Sequence, residues 1–241
     1  MIDVLLLAIV GVVTWCVASE GVWGAAITFV AAILSGLVAM NLFEPVAGFL
    51  GANIFSSYAW QMRLDIIAFL GIFAGGIFGL RAIGEKLMPT YIEVHPLLYD
   101  IGRWVLGVAS GYVVMAVVLT SLHTAPLPRE FLGFTPERNN FFMISAPDRQ
   151  WLAFTQYVSE TSMRRRLPDG RLAAFDVVEF PANPADANTM QKWSSFPIRY
   201  AARREIFGQG GVPSGGNSNP APAPPPTVAP APSSGGGASG F

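Results

Sequence analysis

Charge is what the first half of this 241-residue chain lacks. Charged residues make up 13% of the whole, against about 25% in an ordinary soluble domain, and the deficit is concentrated. Of 15 Lys and Arg residues, only Arg63, Arg81, Lys86 and Arg103 precede residue 123. A water-soluble core of that length would need a charged shell, so the solvent implied for this half is lipid. The net charge of −1 offers no basic domain of the kind nucleic acid would require. A single cysteine, Cys16, excludes an intramolecular disulfide and a multi-cysteine zinc site. In its apolar run it reads as a small hydrophobe, and bulky Trp15 before it does not fit a lipidation box. The two histidines, His95 and His123, form no zinc-binding i, i+4 pair, and there is no Gly-rich loop ending in Lys-Ser or Lys-Thr. Val108-Ala109-Ser110-Gly111 lacks the Gly that the serine motif of intramembrane rhomboid proteases places two before the Ser. These absences point away from an enzyme, and the expectation is no catalytic residue, no cofactor and no metal.

What is present is apolar residue in long runs, 52% of the chain. Residues 1–122 read as an all-α, polytopic transmembrane bundle of about four helices, with spans at about 2–18, 22–40, 64–82 and 104–122. At about 1.5 Å per residue such runs match a hydrocarbon core of about 30 Å. Asp3 in place of a basic n-region, and a second apolar run directly after the first, favour an uncleaved first helix over a signal peptide. Glu20-Gly21 between the first two spans predicts a tight turn and an antiparallel helical hairpin. The segment from Asn41 to Leu64 interleaves Phe43, Phe49, Phe55, Tyr58 and Trp60 with Pro45, Gly48 and Gly51. Aromatics of this kind favour the headgroup level, which predicts an interfacial or re-entrant segment, or equally a partly helical loop.

Small residues recur at spacing four as Gly71, Gly75 and Gly79 in the third span and Gly107 and Gly111 in the fourth. That rhythm lets helix backbones approach closely in lipid, and predicts packing inside the bundle or an interface between copies. Asp3, Glu20, Asp65, Arg81, Asp100 and Arg103 fall at span ends, the position of interfacial anchors. Asp100 and Arg103 stand three apart, able to pair on one helical face.

Residues 123–207 carry most of the charge and read as a small extramembrane region of mixed or irregular structure. Ser145-Ala-Pro-Asp148 is a helix start for an amphipathic helix at about 146–163, with Trp151, Phe154 and Val158 on one face and Arg164, Arg165 and Arg166 at its end. Two readings stand: a small soluble helix with a basic C-terminus suited to its dipole, or a helix lying on the membrane surface. Residues 208–241 are an uncharged Gly/Pro/Ala/Ser-rich stretch, which predicts a disordered tail.

The order of these features resembles the colicin V production protein (CvpA) family over about residues 1–122. Met1-Ile2-Asp3-Val4-Leu5 runs straight into the first helix, Glu20-Gly21-Val22-Trp23-Gly24 resembles the family's glycine-bearing break, and Asp100-Ile-Gly-Arg103 followed by Gly107 and Gly111 is similar to its fourth-span start. The chain departs from the family in having no Arg or Lys just after the first hairpin and in separating Asp100 from Arg103. The resemblance implies a small bacterial inner-membrane protein with Asp3, Gly21, Asp100 and Arg103 as motif residues. It implies a role in toxin production, secretion or envelope homeostasis, with no catalytic activity or cofactor. Expected partners are the lipid bilayer and a second copy or another membrane protein. Two further readings follow from the residues: a small channel or transporter component, or an anchor displaying the C-terminal region. Basic residues fall equally on both sides of the spans, so the positive-inside rule sets no orientation.

Overall fold

The computed structural model describes residues 1–55, 57–87, 95–128, 130–135 and 139–162, then segments 165–166, 172–173, 177–183 and 186–194 and residues 196 and 200. Four helices are long and apolar enough to cross a membrane: α1 Ile2–Ser19, α2 Gly21–Asn53, α3 Tyr58–Leu87 and α4 Pro96–Thr124. The protein is thus a multi-pass membrane protein whose bundle is all-α. In lipid every backbone N–H and C=O must find its partner within the protein, which a helix achieves alone. After the bundle come a short helix, α5 Pro147–Tyr157, a π-helical turn Val158–Ser162, and two antiparallel hairpins. The first pairs β1 Arg165–Arg166 with β2 Leu172–Ala173, the second β3 Val177–Asn183 with β4 Asp186–Ser194. The predicted tail, 208–241, lies outside the described residues.

The α1–α2 reversal is as short as the sequence requires. Glu20 closes α1 by donating its N–H to Val17 O at 3.2 Å, and Gly21 takes φ +85°, a left-handed conformation cheap only for glycine. α4 starts earlier than predicted, at Pro96, because Pro suits the first helical position and the His95 Nδ1 accepts the Leu97 N–H at 3.3 Å.

The largest difference from expectation concerns Asn41–Leu64. No re-entrant segment forms: α2 runs on through Pro45 to Asn53, and α3 begins at Tyr58 after a brief link. The 33 residues of α2 extend about 50 Å, well beyond a hydrocarbon core of about 30 Å. The aromatics explain the difference. Phe43 is buried rather than set at headgroup level, meeting Phe69 of α3 edge-on at 5.3 Å, and Phe196 and Tyr200 cover it at 6.2 and 6.4 Å. Phe55 and Trp60 stack at 5.1 Å across the link. Helix–helix packing has taken Phe43, while Phe49 and Trp60 remain exposed.

In space α4 is central, with α1 on one side and α2 on the other, and α3 packs chiefly on α2. Half of the most apolar window of α4 is buried, against 17% for α3, which makes α3 the edge helix. Two apolar clusters result. Met40, Phe43, Leu64, Phe69, Phe73 and Val117 join α2, α3 and α4, and Ile2, Leu6, Met115, Leu119 and Phe134 join α1 and α4 to the loop that follows. The start of α1, the link between α2 and α3, and the end of α4 share one end of the bundle, where the α4–α5 loop and α5 pack.

Candidate functional site

At that end the chain leaves α4 and returns as α5, and a buried polar pair fastens the two. His123 stands in the last turn of α4 and Asp148 in the first turn of α5, with His123 Nε2 2.8 Å from Asp148 Oδ2. The side chains are 4% and 0% exposed. Phe134 and Phe196 flank the imidazole edge-on at 5.1 and 6.3 Å, so the pair lies in an apolar wall. Asp148 Oδ1 has no hydrogen-bond partner among the described residues. Such a pair adds little net stability against an apolar substitute, but losing one member leaves a buried polar group alone, which is costly. It therefore fixes which residues meet.

Trp151, one turn further along α5, supplies the apolar half of the joint. Its indole lies against Gly36 of α2, where an added Cβ would come within 2.8 Å of Trp151 Cη2 and 3.2 Å of Val117 Cγ2 on α4. Gly36 is a notch shaped for that ring. The Tyr112 hydroxyl donates to Gln150 Oε1 beside it. α5 therefore packs on α4, and Trp151 reaches across to α2. This corrects the reading of Trp151, Phe154 and Val158 as one membrane-surface face. Trp151 is buried in the joint, Val158 is half-buried in the π-helical turn, and Phe154 alone of the three is exposed. Of the arginines in that reading, Arg164 lies outside the described residues, and for Arg165 and Arg166 only the β1 backbone is described.

The loop between α4 and α5 clasps the first turn of α1 with two tight reversals. In one, Phe131 and Phe134 exchange backbone hydrogen bonds and Leu132 O accepts the Ile2 N–H at 3.0 Å. In the other, Phe141 pairs with Ser145, and the Phe142 N–H donates to Asp3 Oδ1 at 2.6 Å. Asn140, 1% exposed, holds the two together by donating to Thr135 O at 3.0 Å and accepting from Thr135 N at 3.1 Å. Leu132, Phe142 and Met143 take φ of 52°, 50° and 57°, left-handed values that cost a non-glycine residue about 1 kcal/mol or more each. Asp3, a motif residue of the family resemblance, here holds a loop 139 residues away.

The glycine stripes divide. Gly107 and Gly111 pack as predicted: a Cβ on Gly107 would stand 3.0 Å from Thr14 O, and one on Gly111 2.8 Å from Val10 O, so α4 lies backbone to backbone on α1. Thr14 Oγ1 adds a hydrogen bond to Gly107 O at 3.3 Å. Gly71, Gly75 and Gly79 do not pack against the described residues, none of which lies within 4 Å of a Cβ on any of the three. α3 turns its other glycines inward instead, Gly76 onto Ser35 and Gly84 onto Ile27 of α2.

At the opposite end, Arg81 reaches Glu20 Oε1 at 2.6 Å and Glu85 Oε1 at 3.1 Å, tying α3 to the α1–α2 turn. Asp100 and Arg103 pair at 2.9 Å as their spacing predicts, with the guanidinium about 6 Å over the rings of Tyr99 and Trp104. The Tyr99 hydroxyl lies against Gly21, where a Cβ would clash with it. Arg81 thus ties α3 to the first hairpin and Gly21 meets Tyr99 of α4, while Asp100 and Arg103 pair within α4 and Asp3 is at the other end. A cavity of about 360 Å³ opens between α2 and α3, lined by Ala47, Gly48, Gly51, Ala52, Leu64 and Asp65. Family models, curated proteins and solved structures give no match to this chain.

Proposed function

We propose that this chain is a non-enzymatic bacterial inner-membrane protein of the colicin V production type, supporting toxin secretion or envelope homeostasis through partner contacts. The observation that carries the reading is the joint at one end of the bundle. His123–Asp148 and Trp151 in its Gly36 notch hold the extramembrane region to the helices, so a partner meets one rigid composite surface and not a tethered appendage. The order of motif residues Asp3, Gly21, Asp100 and Arg103 supports the family assignment. A second reading, a channel or transporter component, draws on the cavity beside Asp65.

Complementation in the parent bacterium separates the two. Loss of the chain is expected to lower toxin release or raise envelope permeability. The full chain and its Asp65→Asn variant should restore the phenotype, while Trp151→Ala, which empties the notch, should not. Failure of Asp65→Asn together with rescue by Trp151→Ala would overturn the partner reading in favour of the channel.

A further inference from the structure

We infer that the loop clasping α1 is itself a membrane-contacting element, with Phe142, Met143 and Ile144, and Leu132 beside them, immersed at the headgroup–acyl boundary of the bilayer that α1 crosses. Phe142, Met143 and Ile144 are 47%, 65% and 85% exposed in a stretch without charge from Asn139 to Pro147, and Leu132, in the other reversal, is 50% exposed. An apolar tip of this kind facing water would be an unexplained exposed patch.

Its level relative to the bilayer follows from its tethers. α1 has 18 residues, about 27 Å, which just fills a hydrocarbon core of about 30 Å. The first turn of α1 therefore marks the hydrocarbon edge. Both reversals are hydrogen-bonded to that turn, through Ile2 N and the Asp3 carboxylate. The exposed apolar surface of α1 begins in the same turn with Val4 and Leu5, at 70% and 51% exposure, so the loop tip continues a lipid-facing surface. The left-handed residues at Leu132, Phe142 and Met143 turn the tips where a relaxed loop would not. The tip residues are more exposed than Trp151 and Phe154 on the predicted face of α5, which are 5% and 38% exposed. The inference goes beyond the proposed function and holds for either orientation of the chain.

Site-directed spin labelling tests it on the full chain in vesicles of phosphatidylethanolamine and phosphatidylglycerol. The exposed Cys16 is replaced by Ser, and single cysteines are introduced as Met143→Cys, Ile144→Cys, Trp15→Cys as a lipid reference and Glu130→Cys as a water reference. The ratio of collisions with oxygen to collisions with a water-soluble nickel chelate should be at least about fivefold higher at 143 and 144 than at 130, approaching that at 15. Adding Asp3→Ala to the Met143→Cys chain should lower its ratio towards that at 130. A chelate accessibility at 143 and 144 equal to that at 130 would place the tip in water and overturn the inference. Low accessibility to both reagents would mean a protein cover, a second copy or a partner, and would overturn it equally. A ratio at 143 unmoved by Asp3→Ala would overturn the tether.

Discussion

Replacing His123 by Ala should loosen α5 while leaving the four long helices intact. Asp148 is fully buried, its Oδ2 satisfied by His123 at 2.8 Å and its Oδ1 without a partner among the described residues. Taking away the imidazole leaves a carboxyl group with no compensation. Removing one partner of a buried pair costs about 3–5 kcal/mol if the remaining charge stays. If the carboxyl protonates instead, an unsatisfied buried polar group still costs about 1–3 kcal/mol. The lower bound of about 1 kcal/mol is roughly a fivefold change in the open fraction of α5, and 3 kcal/mol is more than a hundredfold. Amide hydrogen exchange in lipid nanodiscs reads that fraction directly, because local opening sets the protection of the segment that opens. Exchange over Pro147–Tyr157 should accelerate at least about fivefold, with α1–α4 unchanged. The double variant His123→Leu, Asp148→Leu should recover most of the lost protection, since an apolar pair of similar size often replaces a buried ion pair without loss. Exchange in the single variant within twofold of the parent, or a double variant as labile as the single one, would refute this account of the joint.

Other perturbations bear on separate contacts. Gly111→Leu should destabilise the bundle by more than about 3 kcal/mol in a thermal or denaturant assay, because its Cβ meets the Val10 backbone and cannot be accommodated by rotamer change. Gly75→Leu should change monomer stability by less than about 0.5 kcal/mol, since the space outside it is open; a large effect there would mean that α3 is covered in the native assembly. Trp151→Ala should cost about 3–5 kcal/mol of α5 docking, seen as protease sensitivity of the segment after α4. Arg81→Gln should cost about 1 kcal/mol or less, because its partners at the bundle end remain partly solvated; a larger loss of melting temperature would assign that end a greater share of the stability.

The membrane helices were legible because lipid imposes one strong rule on them, that long uncharged segments must close their own hydrogen bonds. Pairing of Asp100 with Arg103 and packing of Gly107 and Gly111 were legible too, being consequences of helical spacing within one element. Which face of α3 packs was not. Gly71, Gly75, Gly76, Gly79 and Gly84 are all small, and only the partner helix decides that Gly76 and Gly84 turn inward. The same holds for Asn41–Leu64, where Pro45 and the aromatics suggested a break. Phe43 could be assigned to a core only once Phe69, Phe196 and Tyr200 were known to surround it. The joint itself had a faint signal. His123 ends the last apolar run, and Asp148 is the acid in the first turn of the following helix, but they stand 25 positions apart across a loop that periodicity does not describe.

The clasp on α1 also sets a timetable for biosynthesis. Asp3 leaves the ribosome 139 residues ahead of Phe142, whose N–H donates to its carboxylate. At about 5–20 residues per second that is an interval of roughly 7–28 s. Throughout it, the first helix resides in the membrane with its opening turn unfastened. A nascent chain arrested before residue 142 would hold its spans yet leave the first turn of α1 unlatched, so the latch marks passage of the loop that follows α4.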